Sequence, residues 1–389
     1  APGSSSSSAY IRAVDVTEVM ADHGHEQVVF VSDAPTGLRA IIAVHSTALG
    51  PALGGIRFWH YDSETQAVAD ALRLSEAMTL KAAAAGLHQG GGKAVVLWDD
   101  PHAARSPELL HSLGRAIHEL GGRYVAAEDV GATTRDMDGI AEVTPWVTGV
   151  SESTGGSGDP SPVTAFGVVC AMRAAAAEQW GDASLRDRRV LIQGAGKVGA
   201  ELARLLVAEH ASVGVADVDA GRVSALEREL GIDPISTDEV LTSPADVLAP
   251  CALGGVLTPE VVEQLQVSIV CGGANNQLAT DAVDDALGAR GVLYAPDFVV
   301  NAGDIINIAE EFVGYDRSRA LAAAARIEAT AARVFAAARG WGMPPGRAAQ
   351  RIARERIAEE APSGARWRPG DPAAWTAGAP LRELRPRRG

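Results

Sequence analysis

Three lysines are the residues of this chain with the clearest potential for chemistry. The 389 residues include 34 Lys and Arg together, yet only Lys81, Lys93 and Lys197 are lysine. Lysine can lose its proton when it is desolvated or placed near another cation, whereas arginine stays charged. Lys81 and Lys93 lie close in sequence, on either side of Gly90-Gly91-Gly92. We therefore expect them to share a pocket, where one binds an anion and the other acts as a base.

Asp129 is a candidate acid for the same cleft. It ends the predicted strand RYVAAED and could serve as a proton partner or an ammonium anchor. Each of the three residues also has a purely structural alternative. Lys81 could be a solvated cation at a helix end, Lys93 a strand-edge residue and Asp129 a helix N-cap. We expect Lys81 near the end of a helix and Lys93 at the start of the next strand. The three glycines between them would let substrate approach the backbone.

A second group of glycines follows a predicted strand in the middle of the chain. Gly194, Gly196 and Gly199 form G-x-G-x-x-G between the strand RVLIQ and the helix KVGAELARLLVAEH. In a dinucleotide site the first glycine makes the turn, the second admits the pyrophosphate and the third packs the helix on the strand. The helix N-terminus then faces the phosphates. Lys197 is either a phosphate contact or a solvated helix residue, and a glycine turn without nucleotide is the alternative for the whole motif.

Asp217 is placed to choose between the two pyridine nucleotides. It ends the next predicted strand, SVGVAD, 23 residues after Gly194. A carboxylate there accepts hydrogen bonds from the ribose hydroxyls and disfavours a 2′-phosphate, so the sequence predicts NAD. Arg222 lies close enough to keep NADP as the alternative.

The elements that must position these residues alternate between strand and helix, which indicates an α/β protein of two domains. We expect an N-terminal α/β substrate and oligomerisation domain over 1–148 and a Rossmann NAD-binding domain over 149–330. Helices over 331–360 would return to the first domain, and 361–389 would be a disordered tail. The finer predictions are strands over QVVFVSD, LRAIIAVHS and KAVVLW, a helix capped by Ser63 and Gln66, a helix opened by Ser106-Pro107, a linker or hinge over Val150–Pro162, and a helix from about Thr164 to Trp180.

Composition excludes several classes of function. A net charge of −15 argues against nucleic acid and anionic membranes as partners. No apolar run reaches the roughly 18 residues of a membrane span, and APGSSSSSAY does not resemble a signal peptide. Cys170, Cys251 and Cys271 are spaced neither as a disulfide framework nor as a metal site, so we expect no metal and a cytoplasmic location. The six arginines of the tail suggest either a contact with an acidic surface or simple solvation.

Eight segments together resemble one family. They are GPALGGIRFWHY, MTLKAAAAGLHQGGGKAVV, YVAAEDVGATTRDMD, PVTAFGV, GAGKVG, APCALGG, CGGANNQL and LYAPDFVVNAG. Their order and spacing over about residues 25 to 360 resemble the leucine/phenylalanine/valine dehydrogenases, and bacterial valine dehydrogenases most of all. The resemblance implies NAD-dependent, reversible oxidative deamination of an L-amino acid to the 2-oxo acid and ammonia. It also implies a homo-oligomer built through the first domain.

The resemblance assigns roles to individual residues. Lys81 would bind the substrate carboxylate with help from the backbone around Gly54 and Gly55. Lys93 would be the base that activates water, and Asp129 the acid that handles protons and the amino group. Asn276 would orient substrate beside the nicotinamide. The implied cofactor contacts are Gly194, Gly196, Lys197, Val198, Gly199, Asp217, Cys251, Ala252, Asn276 and Thr164, the last binding the carboxamide.

Two features bear on which amino-acid side chain the substrate carries: the residues at the pocket positions, and one departure from the family pattern. Leu53, Ala127, Ile305 and Ile308 match pocket positions, and this aliphatic slot favours valine, leucine or isoleucine over phenylalanine or a specialised amino acid. The family has NAGG where this chain has NAGD, which places Asp304 beside the pocket. Asp304 would point away, reshape the pocket toward an unusual or cationic side chain, or impair turnover. Impaired turnover would leave an NAD-binding regulator.

Overall fold

The structure is a computed structural model that describes residues 15–100 and 103–361. The segment APGSSSSSAY and most of the predicted tail lie outside these ranges. Within them, no helix combines the length and the apolar character that a membrane span requires.

The first half of the chain forms a five-stranded mixed sheet. Its spatial order is β1-β2-β4-β3-β5, in which β3 runs parallel to β4 and β5, and β2 runs antiparallel to β1 and β4. The strands are β1 (Gln27–Asp33), β2 (Leu38–Ser46), β3 (Ala52–Trp59), β4 (Gly90–Leu97) and β5 (Tyr124–Glu128), and the helices are α1 (Val16–His23), α2 (Glu64–Ala84), α3 (Pro107–Glu119) and α4 (Thr134–Ala141).

The predicted starts of α2 and α3 are confirmed, with one change in capping. Ser63 Oγ accepts a hydrogen bond from the Gln66 amide at 3.2 Å, as an N-cap should. The Gln66 side chain, however, accepts from the amide of Asp62 rather than from that of Ser63. The capping box therefore forms with its return bond displaced by one residue. Helix α3 begins at Pro107 behind its cap Ser106, as predicted.

The glycines before Lys93 lie inside β4, which corrects two predictions. Lys93 is in the middle of the strand and not at its start. A Cβ on Gly91 would lie 2.1 Å from the Thr79 amide nitrogen, and a Cβ on Gly92 would lie 2.6 Å from the ring of Tyr124. These glycines therefore allow α2 and β5 to pack against β4. None of them lines the cleft between the domains, so the prediction that substrate lies against them is wrong.

The second half forms an open parallel sheet of six strands in the order β11-β10-β9-β6-β7-β8. The order reverses at β6, the arrangement of a Rossmann fold, so the predicted architecture is confirmed. The strands are β6 (Arg189–Gln193), β7 (Ser212–Ala216), β8 (Asp233–Pro234), β9 (Val247–Pro250), β10 (Ile269–Val270) and β11 (Leu293–Tyr294), and the helices are α5 (Ser161–Trp180), α6 (Lys197–Ala208), α7 (Ala220–Leu230), α8 (Pro259–Gln264) and α9 (Ala282–Ala289).

The last four helices are not divided between the two domains at residue 330, where the sequence predicted the boundary. They are α10 (Asp297–Val300), α11 (Gly303–Ala309), α12 (Arg317–Trp341) and α13 (Pro345–Glu360). Helix α12 runs unbroken through the predicted boundary at 330/331 and packs against α5 of the nucleotide domain. Helix α13 returns to the first domain, where it packs on α2 and Arg356 donates to the carbonyl of Ala83 at 2.8 Å, and α10 also contacts α2.

The predicted linker is short and anchored. It contains a 3₁₀ turn over Glu152–Thr154, and α5 begins at Ser161, earlier than predicted. The amides of Gly149 and Ser157 both donate to Oε1 of Glu311 at 2.8 Å. The connection between the domains is therefore tied to the segment that follows α11.

Candidate active site

A cleft lies between the two sheets, at the carboxyl ends of their parallel strands. Its volume is about 130 Å³. The first domain contributes Lys81, Lys93, Ala127 and Asp129 to its lining, and the second contributes Asn276, Asp297, Asp304, Ile305 and Ile308. The fold thus brings together residues from four motifs that are far apart in sequence.

Lys93 and Asp129 form an ion pair at the base of the cleft. Lys93 Nζ lies 2.8 Å from Asp129 Oδ2, and only 4% of Lys93 is exposed. Gly55 makes room for this carboxylate, because a Cβ at that position would lie 2.5 Å from the Cβ of Asp129. Asp129 therefore contacts Lys93, as the sequence suggested, and it does not cap α4, whose N-cap is Thr133.

The electrostatics of this pair suit a base. Burial lowers the pKa of Lys93; the charge of Asp129 opposes that shift, and the nearby cation Arg57 adds to it. Burial would raise the pKa of Asp129, but the charges of Lys93 and Arg57 outweigh it and lower that pKa to about 2. Asp129 is therefore ionised at neutral pH. The cation that helps to lower the pKa of Lys93 is Arg57, whereas the sequence predicted the second lysine in this role.

Lys81 lies in the last turn of α2 and points into the same cleft. It is 4% exposed, and its Nζ lies 2.6 Å from Oδ2 of Asp304. Asp304 is in the first turn of α11 and its backbone is not in the left-handed region, so the aspartate causes no strain there. Asp304 does not point away from the site, which removes one of the three possibilities that the sequence left open.

The side-chain slot is largely as predicted. Ala127, Ile305 and Ile308 line the cleft together with Leu74 and Met78. Leu53 does not line it: this residue is fully buried in the core, nearer the amino end of β3. The same strand geometry separates the two predicted glycines, because Gly55 lines the cleft whereas Gly54 lies behind it, with its carbonyl accepting from Tyr124.

The glycine loop after β6 has the geometry of a dinucleotide site. Gly194 has φ +106°, and a Cβ on Gly199 would lie 1.9 Å from the Gly194 carbonyl oxygen, so both positions require glycine. A Cβ on Gly196 would meet nothing within 4 Å, which leaves open space for a pyrophosphate. Gly196 caps α6 without a side-chain bond to its first-turn amides. The residues present therefore fit a bound pyridine nucleotide.

Asp217 and Lys197 flank this loop and already have partners. Asp217 follows β7 and accepts from the amides of Ala195 at 2.6 Å and Asp219 at 2.8 Å, which fixes the loop. Lys197 Nζ lies 3.2 Å from Asp159 of the interdomain connection, with 68% of its side chain exposed. Lys197 is therefore a solvated helix residue that also reaches across to the connection.

The remaining predicted cofactor residues lie in several places, and two of them contact the glycine loop. Cys251 and Ala252 follow β9 and contact the position of Gly194, while Val198 packs near Gly273. Thr164 is buried in the first turn of α5 and donates to the Pro160 carbonyl at 2.9 Å. Asn276 reaches the cleft with φ +51°, one of three described non-glycine residues with positive φ. The loop after β10 thus brings Asn276 into the cleft, whereas Thr164 does not line it and packs beside Gly303.

Sequence reasoning did not assign roles to four charged residues at the site. Arg57 donates to Asp129 and to Asp70, and Glu128 and Asp297 line the cleft. Alternation along β3 was the available signal, because Arg57 lies two residues after Gly55 and faces the same side. Burial raises the pKa of both Glu128 and Asp297. Within residues 15–100 and 103–361, no group of three or more His, Cys, Asp or Glu side chains could hold a metal ion.

Two family models match most of the chain. The model described as "Glu/Leu/Phe/Val dehydrogenase, dimerisation domain" matches residues 25–145. The model described as "Glutamate/Leucine/Phenylalanine/Valine dehydrogenase" matches residues 155–225 and 218–336. The two matches meet at the interdomain connection.

Individual relatives agree with the family models. A valine dehydrogenase of Streptomyces albus is 51% identical over 339 residues, which cover 86% of this chain and 93% of that protein. A leucine dehydrogenase of Bacillus cereus is 46% identical over 345 residues, which cover 89% and 94%. The crystal structure of L-tryptophan dehydrogenase from Nostoc punctiforme superposes with a TM-score of 0.78 at 36% identity, over 88% of this chain and 99% of that one.

These matches span both domains and include every motif that lines the cleft. A dehydrogenase of this kind with a Rossmann domain uses a pyridine nucleotide. The chain belongs to the glutamate/leucine/phenylalanine/valine dehydrogenase family and is an amino-acid dehydrogenase.

Proposed function

We propose that this protein catalyses the NAD-dependent, reversible oxidative deamination of a branched aliphatic L-amino acid to its 2-oxo acid and ammonia. The observation that carries the proposal is the buried Lys93–Asp129 pair, which lies beside an apolar slot in the cleft between the first domain and the Rossmann domain. Similarity to valine and leucine dehydrogenases at 51% and 46% identity supports the substrate class.

A pyridine nucleotide held at the glycine loop would accept a hydride from the α-carbon, which would leave an iminium group on the substrate. Lys93 in its neutral form takes a proton from the water that attacks this iminium carbon. Because Asp129 is ionised, we assign it to hold Lys93 and the substrate's amino group in position. As the carbinolamine collapses, Asp129 relays the proton of its hydroxyl group to the departing nitrogen, so that the C=O bond forms, the C–N bond breaks and ammonia leaves. Burial of the site excludes bulk water that would otherwise compete with these transfers.

Lys81 and the aliphatic slot determine how substrate is oriented. Lys81 is the cation available for the α-carboxylate, provided that Asp304 yields its contact. Ala127, Ile305 and Ile308 would enclose a branched aliphatic side chain next to Asn276. One methylene in such a slot changes discrimination by about 1–3 kcal/mol, so activity on valine, leucine and isoleucine should overlap.

NAD is proposed over NADP because Asp217 lies at the end of β7. Its two oxygens each accept one backbone amide, and each keeps acceptor capacity for a ribose hydroxyl. A 2′-phosphate would face this carboxylate at close range.

A homo-oligomer is proposed through the first domain, which matches a model described as a dimerisation domain. Strand β1 is an edge of the first sheet, and Phe30 on it is 54% exposed. An exposed edge with an apolar side chain is suited to pairing with a second copy. The cytoplasmic location predicted from cysteine usage stays a prediction.

The test is a panel of L-amino acids with NAD and purified full-length protein, with NADH followed by absorbance. We expect turnover to be strongest with the branched aliphatic members. Faster NADH formation with phenylalanine would show that the preferred substrate is aromatic. NAD binding without turnover of any member would instead indicate a regulator.

A further inference from the structure

The carboxylate of Asp304 contacts Lys81, the residue that would bind the α-carboxylate of the substrate in the proposed reaction. Its Oδ2 lies 2.6 Å from Lys81 Nζ, the distance of a charge-assisted hydrogen bond. Its Oδ1 accepts from the amide of Ile305 at 2.5 Å, which fixes the side chain at the start of α11. The side chain remains 37% exposed on the cleft side. Lys81 is therefore neutralised before any substrate enters.

The cleft holds more carboxyl groups than cationic side chains even without a substrate carboxylate. Its lining contains three cationic side chains, Arg57, Lys81 and Lys93, and four carboxyl groups, Glu128, Asp129, Asp297 and Asp304. Arg57 contacts a fifth carboxylate, Asp70, at 2.9 Å. An additional anion would enter a site that already holds more carboxyl groups than cations, and it would have to displace Asp304 from Lys81. A substrate that carries only an ammonium group meets neither obstacle.

We propose that this site also accepts primary amines that lack an α-carboxylate, and the corresponding ketones in the reverse direction. Asp304 takes the position of the missing carboxylate on Lys81. The inference rests on the proposed function, because it uses the same base, nucleotide and slot. The substrate class is a primary amine with a branched aliphatic group on the amine-bearing carbon.

The reaction balances in the same way as for an amino acid. The C–H bond of the amine-bearing carbon breaks, and its hydride reduces NAD while the amine is oxidised to an iminium ion. Water adds to that carbon with loss of a proton to Lys93, and the C–N bond then breaks. The products are a ketone, ammonium, NADH and one proton. No reactant is needed beyond water and the nucleotide of the proposed function.

A cationic side chain on an amino-acid substrate is the competing explanation for Asp304. The slot beside Asp304 is lined by the apolar residues Leu74, Met78, Ile305 and Ile308. A side-chain ammonium would have to cross this surface and then compete with Lys81 for a carboxylate held at 2.6 Å. The geometry therefore favours the amine over the diamino acid.

The experiment compares three substrates: L-valine, its analogue with a methyl group in place of the carboxylate, and L-ornithine. NADH formation is measured with the unchanged protein, with Asp304→Gly, which restores the family residue, and with Asp304→Asn, which keeps the shape but removes the charge. Asp99→Asn, at a fully exposed aspartate, is the matched control. Circular dichroism and NAD affinity verify that each variant is folded.

We expect the unchanged protein to oxidise the amine. Both Asp304 variants should shift the ratio of kcat/KM for valine to that for the amine by about tenfold or more toward valine, since they free Lys81. The control should leave this ratio unchanged.

Turnover of valine without turnover of the amine would overturn this inference and leave the proposed function intact. The same conclusion would follow if both Asp304 variants left the ratio of kcat/KM for valine to that for the amine unchanged. Turnover of the amine without valine supports the inference and overturns the amino-acid assignment. Preference for ornithine, or no turnover of any of the three substrates, overturns the inference.

Discussion

Arg57 and Lys93 share one oxygen of Asp129. Arg57 Nε donates to Oδ2 at 2.8 Å, and Lys93 Nζ lies 2.8 Å from the same atom. Arg57 also donates to Asp70, which accepts a further bond from Tyr61. The proposed base is thus one member of a buried charge network whose other cation is permanent. We conclude that Arg57 positions Asp129 and helps to set the protonation of Lys93.

Removing the charge of Arg57 should therefore change the pH dependence. Its charge lowers the pKa of Lys93, so Arg57→Gln should raise that pKa. Because the base acts when neutral, kcat/KM for deamination rises with pH through the Lys93 pKa, and this rise should move to higher pH by about 1 unit. Arg73→Gln is the control, since Arg73 contacts Asp70 from an exposed position. An unmoved profile in Arg57→Gln would refute the coupling.

Lys93→Arg tests the base directly. Arginine keeps the charge that pairs with Asp129 but cannot release its proton, so kcat should fall by about 10²–10⁴-fold. Thermal unfolding and NAD binding should remain close to those of the unchanged protein. Lys197→Arg makes the same substitution at an exposed lysine and should retain activity. Comparable turnover in both variants would contradict the assignment of Lys93.

Two glycine-to-alanine substitutions should separate packing from cofactor binding. Gly91→Ala places a methyl group 2.1 Å from a backbone nitrogen of α2 and should lower the free energy of unfolding by about 1–3 kcal/mol. Gly196→Ala meets no protein atom within 4 Å, so stability should be kept while the affinity for NAD falls. Denaturant unfolding and NAD titration distinguish the two. Equal loss of stability in both variants would count against this division.

Asp217→Ala should weaken the preference for NAD. The variant loses the ribose acceptor and also the bond that holds the Ala195 amide at 2.6 Å, so KM for NAD should rise about tenfold or more. The ratio of activity with NAD to that with NADP should fall, because the carboxylate that repels a 2′-phosphate is gone. An unchanged ratio would show that another residue determines the choice of nucleotide.

The sequence predicted those parts of the fold and site that depend on local pattern. Strand periodicity placed β1, β2 and β5, and Ser63 and Ser106 marked the starts of α2 and α3. The glycine spacing identified the loop after β6 because the requirement for positive φ and close packing is itself local. Lys81 and Lys93 were identified because lysine is rare in this chain, and Asp129 because it ends a predicted strand.

The features that were missed depend on tertiary contact. Gly91 is needed because α2 packs too closely on β4 to leave room for a side chain. The sequence around Gly91 does not reveal this contact. Leu53 and Gly55 share a face of β3, yet only Gly55 lies far enough along the strand to reach the cleft. The Lys81–Asp304 pair joins residues 223 positions apart, so only the assembled domains reveal it.

The most direct test of the central claim is the initial rate of NADH formation from L-valine and NAD by the purified full-length protein, measured beside Lys93→Arg. The proposed function predicts ammonia and 2-oxo acid in equal amounts to NADH, and a rate about 10²–10⁴-fold lower in the variant. Absence of NADH from valine, leucine and isoleucine alike, with NAD binding intact, would contradict it.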